Sequence, residues 1–313
     1  MMQKSNSIST ALSTVRRPDF MILGAMKSGT TTLHSYLSRH TSIFMCSPKE
    51  PMFFSREDIY ARGLDWYFSL FQAAREDQVC GEASTCYSRW PHFGDVAARI
   101  HSAVPDAKFI YVMRHPVDRA YAHYRHEMQD RLVFRHEKAI SLDEALETLP
   151  VIVETSLYRR QIDKFLNYFP SDRFLLLFFE DLTRNPGPVL AMAQRFLGLE
   201  QEDTLHEPKV VANPFGRVKR KSDALRRLDA IARLPGFALV KKLIPARSRA
   251  SLRSSLESGL MAAASAWTGS NALAEQLSPL SDDVRKRLLR HFSAPNRELE
   301  QLMGRHVPSS WHE

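Results

Sequence analysis

The sequence has little of what builds disulfide, metal or membrane-spanning scaffolds. Its 313 residues include three cysteines, Cys46, Cys80 and Cys86, too few and too scattered for a disulfide framework. Nothing near them has zinc-ligand spacing, so reduced, partly buried thiols are expected. No uninterrupted apolar run approaches the roughly 18–20 residues needed to span a bilayer. The stretch Met1–Arg17 is polar and lacks the apolar segment of a secretory signal. There is no internal repeat and no low-complexity tract. These absences lead us to expect a cytoplasmic protein with a disordered tail over 1–17 and a single domain over 18–313.

What is present is basic. Hydrophobic residues make up 44% of the chain, ordinary for a protein with a sizeable core, while the net charge is +8 and the isoelectric point near 9.5. The excess is local: between Arg217 and Arg253 twelve Lys/Arg face only Asp223 and Asp229, a net +10, so the remainder sums to −2. That asymmetry points to an anionic ligand or partner.

Apolar runs at Asp19–Ala25, Gln78–Glu82, Ala107–Met113 and Arg173–Phe179 read as strands. Helical patterns lie between and beyond them, at Thr32–Arg39, Asp95–Ala103, Val117–Gln129, Leu142–Leu149, Leu157–Tyr168 and Pro188–Leu197, and a last one at Asp282–Gly304. Strands alternating with helices predict an α/β fold: a three-layer sandwich of P-loop type, a central parallel sheet flanked by helices. A C-terminal helical extension and a basic helical insertion over about 222–280 complete it.

The first strand runs into Gly24-x4-Gly29-Thr30-Thr31, the glycine frame of a phosphate-binding loop. Unpaired amides at the start of the following helix suit an anion. The lysine that nucleotide kinases carry after the second glycine is absent: Thr30 stands there, and Lys27 sits three residues earlier. A kinase reading would need that lysine and a magnesium-binding carboxylate.

The decamer Gly24-Ala25-Met26-Lys27-Ser28-Gly29-Thr30-Thr31-Thr32-Leu33 resembles the 5′-phosphosulfate loop of sulfotransferases that use 3′-phosphoadenosine 5′-phosphosulfate (PAPS). Ala107–Tyr124 resembles their second signature, a strand that delivers an arginine to the 3′-phosphate. Ser47–Ser55, Gly63–Tyr67, Gly81–Tyr87, Ser156-Leu157-Tyr158, Phe179–Leu182, Phe196–Leu199 and Ala294–Gly304 are similar to the branch holding heparan-sulfate-type and many bacterial carbohydrate sulfotransferases. The resemblance is close over 19–200, moderate over 280–311 and poor over 222–280.

The resemblance implies roles. Lys27 would neutralise the departing 5′-phosphate, with Ser28, Gly29, Thr30, Thr31 and Thr32 around it, and the scheme requires no metal. Arg114 would fork onto the 3′-phosphate, and Tyr158 joins the donor-binding set. Glu50 holds the place of the catalytic glutamate, and the apolar Pro51-Met52-Phe53-Phe54 run beside it favours a raised proton affinity, against the pull of Lys49. Glu82, ending a strand at the binding edge, is the second candidate base, or it orients Lys27 or an acceptor hydroxyl. Arg217, Lys219 and Arg220 sit where the family closes a basic loop over the donor, and Phe215 stacks on adenine or packs in the core. Relatives carry a serine eight residues after the arginine where this chain has Ala122; Arg119 and His123 are the candidates to replace the lost contact.

Other features say less. His34, His40 and His92 have no partner spacing for a triad or metal site, and Trp66 and Tyr67 line the acceptor cleft or belong to the core. The acceptor, a small molecule or a glycan, is not readable. The basic stretch 217–253 lacks the aromatic interleaving of a nucleic-acid reader, so no nucleic acid is expected. Leu225–Leu260 suits peripheral contact with an anionic membrane.

Overall fold

A computed structural model of the chain describes residues 15–204 and 277–312. Five parallel strands form its sheet: β1 (Phe20–Gly24), β2 (Ile43–Met45), β3 (Val79–Ala83), β4 (Lys108–Met113) and β5 (Phe174–Phe178), in the spatial order β2-β3-β1-β4-β5. β1 lies at the centre, in register Met21↔Glu82 with β3 and Met21↔Phe109 with β4. All five of its residues are buried, as expected of a strand covered on both faces.

Alternation along the strands sorts side chains into two cores. Met21 and Leu23 of β1, with Phe109, Tyr111 and Met113 of β4, join an aromatic-rich cluster that includes Phe53, Phe54, Tyr67, Tyr87, Phe165 and Trp311. Phe20 and Ile22, with Ile110 and Val112, face the opposite way onto Leu33, Tyr36, Leu182, Leu190 and Ala193. The three-layer α/β sandwich of P-loop type is therefore the fold of this chain, with helices on both faces of a parallel sheet.

On the second face lie α1 (Thr30–Leu37) and α10 (Pro186–Leu197). The aromatic face carries α3 (Gly63–Ser69), α4 (Val96–Ala103) and α8 (Tyr158–Leu166). The short α2 (Glu57–Tyr60) precedes α3; α5 (Pro116–Asp130) follows β4, with α6 (Leu142–Thr148) and α7 (Val151–Glu154) after it; α9 (Phe179–Arg184) continues from β5. The last helix, α11 (Asp282–Met303), is capped by Ser281, whose side chain accepts from Val284 N, and ends at Gly304 with φ 61°. Its apolar stripe, Val284, Leu288, Phe292 and Leu299, is buried.

The strand β2 was not expected. Three residues are too few to show a periodicity, and they sit at the sheet edge. The three cysteines are free and buried. Arg16 and Arg17, counted above with the tail, lie against the domain: Arg16 donates to the Gln78 carbonyl and to Cys80 Sγ, and Arg17 stands 5.1 Å over the Phe68 ring.

The described residues fall into two compact units, one of 15–124, 142–204 and 280–312, the other of 125–141 with 277–279. In the second, the end of α5 passes into a π-turn over Arg131–Arg135, where Arg135 pairs with Glu127 and Arg131 with Glu137. Within the first unit, Trp311 is 1% exposed and sits edge-on to Phe178 and against Tyr158. Trp311→Ala should lower the unfolding free energy by about 3–5 kcal/mol through the void it leaves, read from the denaturant midpoint.

Candidate functional site

In a parallel sheet the carboxyl ends of all strands share one edge, and ligands bind there where the strand order reverses. β1 is that point, since the chain leaves it first toward β3 and β2 and later toward β4. The loop leaving β1 turns through two left-handed residues, Lys27 at φ 69° and Gly29 at φ 81°. Gly29 is needed twice over, because a Cβ there would also come within 2.8 Å of the Phe179 ring. The loop delivers the first turn of α1, which carries no acidic side chain, so its unpaired amides are free of competing charge. Ser28 is fully buried, and its hydroxyl lies beside that of Tyr158 without a hydrogen bond of good geometry.

Arg114 arrives from the end of β4. Its Nη1 donates to the Lys27 carbonyl at 3.3 Å, and its guanidinium lies 4.9 Å over the Phe179 ring. The Tyr158 hydroxyl donates to Arg114 O at 2.6 Å and accepts from Arg114 N at 3.2 Å. Tyr158 is 1% exposed, and these two bonds fix the backbone from which Arg114 projects. Next door, His115 N donates to Glu180 Oε1 at 2.8 Å.

Glu50 follows β2. Its N–H donates to Ala83 O at the end of β3, and its Oε1 accepts from Lys49 Nζ at 2.8 Å and from Thr85 Oγ1 at 3.4 Å. Like Lys27, Glu50 and Met52 have left-handed backbones, at φ 60° and 55°. Non-glycine residues hold that conformation at a cost of about 1–3 kcal/mol each, and such strain clusters at functional sites. His34, which its spacing in the sequence gave no reason to single out, projects from α1 into the same neighbourhood: burial, then the Lys49 charge, push its imidazole down to about 4, with Glu50 pulling the other way. Its buried Nε2 has no partner among the described residues.

Glu82 is different. It is fully buried, and burial pushes its carboxyl up to about 8, while the hydroxyls of Tyr87 and Tyr67 partly oppose this. Glu82 has no exposed surface, whereas Glu50 keeps 29% of its side-chain surface exposed, so Glu50 is the carboxylate at the edge and Glu82 the one beneath it. Tyr67, stacked on Phe53 at 4.6 Å, belongs to the core.

Ala122 is half-exposed on α5. Arg119, expected to replace the missing serine, does not: it is fully buried, donates to Ser156 Oγ at 2.5 Å and to the Ile152 carbonyl, and lies 3.2 Å from His123 Nδ1. Its donors are committed inside the protein, and His123 is buried as well. Phe215, Arg217, Lys219 and Arg220 lie outside the described residues. Lys27, the α1 amides and Arg114 suit a phosphate-bearing nucleotide, cationic and donor-rich along one edge.

A mononucleotide-binding α/β protein with its loop and arginine on the switch-point edge is the class that this geometry defines. Comparison with known proteins gives the particular one: residues 17–211 match the family model described as Sulfotransferase domain, and the chain belongs to the sulfotransferase family. It is 32% identical over 189 residues to the human heparan sulfate glucosamine 3-O-sulfotransferase 6, covering 59% of this chain and 54% of that protein. It is 32% identical over 200 residues to the human bifunctional heparan sulfate N-deacetylase/N-sulfotransferase 3, of which 22% is covered. The chain thus spans about half of the first relative and less of the second. A sulfotransferase from Alicyclobacillus acidocaldarius has a similar structure, with a TM-score of 0.62 and 25% identity over 96% of this chain and 100% of that one.

Replacing Arg119 by alanine strands the Ile152 carbonyl and opens a void, so the variant should lose about 2–4 kcal/mol of stability. Its folded fraction should bind adenosine 3′,5′-bisphosphate as the parent does, by calorimetric titration. Lost affinity at unchanged stability would instead return Arg119 to the ligand site.

Proposed function

We propose that the protein transfers a sulfonate group from PAPS to a hydroxyl, and less readily to an amine, of a carbohydrate or of a glycosylated or hydroxylated metabolite. The observation that supports this most directly is the hydrogen bond from Arg114 to the Lys27 carbonyl, which joins the two anion-binding elements at one sheet edge with Glu50 beside them. Family membership and the heparan sulfate relatives support the donor and the acceptor class.

PAPS supplies a sulfur atom bonded to a good leaving group, its 5′-phosphate. The acceptor oxygen forms a bond to sulfur as the bond from sulfur to the phosphate oxygen breaks, and adenosine 3′,5′-bisphosphate departs. The residues position and stabilise this exchange. Lys27 and the α1 amides hold the charge that grows on the leaving oxygen. Arg114 holds the 3′-phosphate and fixes the register of the donor. Glu50 takes the acceptor proton, in the role of a general base. The Lys49 ammonium, 2.8 Å from Glu50 Oε1, holds the carboxyl group in place.

Glu50→Gln should abolish transfer from labelled PAPS and leave affinity for adenosine 3′,5′-bisphosphate nearly intact, whereas Lys27→Ala should abolish transfer and weaken binding. Full activity in Glu50→Gln would remove the base role from this residue. Tight bisphosphate binding without magnesium separates the enzyme from a nucleotide kinase.

Ala122→Ser supplies a hydroxyl where relatives place one. A charge-assisted hydrogen bond is worth about 1.5 kcal/mol or more, so bisphosphate affinity should rise about tenfold in a calorimetric titration. An unchanged affinity would mean that position 122 does not face the 3′-phosphate.

A further inference from the structure

Among the described residues, Glu82 is the only acidic side chain that is fully buried, and neither of its oxygens has a hydrogen bond of good geometry. An unpaired buried carboxyl is destabilising, and this one sits beneath the segment that holds the Glu50 loop. Four bonds fasten that loop to the chain just after Glu82: Glu50 N to Ala83 O at 3.0 Å, Met52 N to Ser84 Oγ at 3.1 Å, Thr85 Oγ1 to Glu50 Oε1 at 3.4 Å and Phe54 N to the Tyr87 hydroxyl at 3.4 Å. The Tyr87 hydroxyl also approaches the Glu82 carboxyl, as does that of Tyr67.

We propose that Glu82 is a positioning residue for Glu50: its buried carboxyl fixes Tyr87 and Tyr67, and through Tyr87 the loop that presents Glu50 at the sheet edge. The proposal rests on the reading of Glu50 as the proton acceptor. It turns the two carboxylates from rival bases into a working pair, one open to the acceptor and one sealed below.

The chemistry of the surroundings favours the neutral acid. The titratable groups facing Glu82 are Tyr67 from α3, Cys86 and Tyr87 from the turn after β3, and Cys46 after β2. Burial raises the proton affinity of all four, so none is charged near neutrality and none offers Glu82 a cation. With the carboxyl itself pushed up to about 8, Glu82 keeps its proton at neutral pH. Above that, the proton passes to solvent and a carboxylate is left buried beside Tyr87 and Tyr67. Tyr87 and Tyr67 hold that carboxylate more tightly than the acid, but the cost of its burial outweighs them, so the charged form strains the segment that anchors the Glu50 loop. The folded state holds this proton more tightly than the unfolded chain, so its contribution to stability is full below pH 4.5 and falls as pH rises to about 8.

The test is steady-state transfer from labelled PAPS between about pH 6 and about pH 9.5, with melting temperature and bisphosphate affinity measured on the same samples. The parent should lose kcat about tenfold per pH unit above about pH 8, the limiting slope for one ionisation. Glu82→Ala should lose kcat about tenfold or more at neutral pH, with bisphosphate affinity held within about twofold. Glu82→Gln, which puts an uncharged hydrogen-bonding group in the same place, should restore most of that kcat, abolish the kcat limb above about pH 8 and remove the fall in melting temperature between about pH 6 and about pH 8. If the alanine variant does not fold, the parent and glutamine variant decide the matter between them. Persistence of the limb in Glu82→Gln overturns the proposal, and so does complete loss of transfer in that variant, which would make Glu82 the base itself. Activity in Glu50→Gln measured alongside reports separately on the reading of Glu50.

Discussion

The hydrogen bond from Arg114 Nη1 to the carbonyl of Lys27 is the contact on which the site depends. It ties the end of β4 to the loop leaving β1, adjacent strands whose carboxyl ends the parallel sheet has already brought together. Phe179 closes the arrangement from below: its ring lies against Arg114 and blocks any side chain at position 29. The Tyr158 hydroxyl, bonded to both backbone atoms of Arg114, and Trp311 packed on Tyr158 carry that constraint to the C-terminus of the chain.

Strain marks the same place by a separate route. Five described non-glycine residues have positive φ, and three of them are Lys27, Glu50 and Met52. Each is anchored on both sides, by Ala25 N on Val112 O and Leu33 N on Gly29 O around the first, and by Glu50 N on Ala83 O and Met52 N on Ser84 Oγ around the others. Surroundings that over-determine a costly conformation are what keep it populated. The backbone thus marks a lysine and a glutamate, in the loops after β1 and β2, that motif reading also singles out.

How far the sequence could be read follows from the physics of each element. β1 and β4 are apolar runs because they are buried on both faces, and β5 because its side chains pack against both cores; runs of that kind are visible without a structure. β2 is not: Ile43–Met45 gains its identity only from pairing with β3. Lys27 and Arg114 were legible because each leaves a strand at its carboxyl end, and Glu50 through a resemblance, since its ion pair and left-handed backbone are tertiary facts. His34 was missed because its neighbours, Lys49 and Glu50, come from beyond another strand. Arg119 was misread for a reason that recurs. An arginine on a polar helix looks solvent-exposed, and its acceptors, Ile152 and Ser156, lie 33 and 37 residues further on.

Arg119 and Glu82 together show how this fold divides its charged groups. Both are fully buried, both are next to a site residue in space or sequence, and both fit a catalytic role on residue type alone. The difference from Arg114 and Glu50 is access: Arg114 is partly exposed and Glu50 keeps 29% of its side-chain surface exposed, while Arg119 and Glu82 keep none. A buried charge has to be satisfied internally or neutralised. Arg119 takes the first course, with bonds to Ser156 and Ile152. Glu82 takes the second, holding a proton between two tyrosines. Under the proposed function, reactive chemistry at this edge falls to the exposed member of each pair, and the buried member stiffens the element from which the exposed one acts.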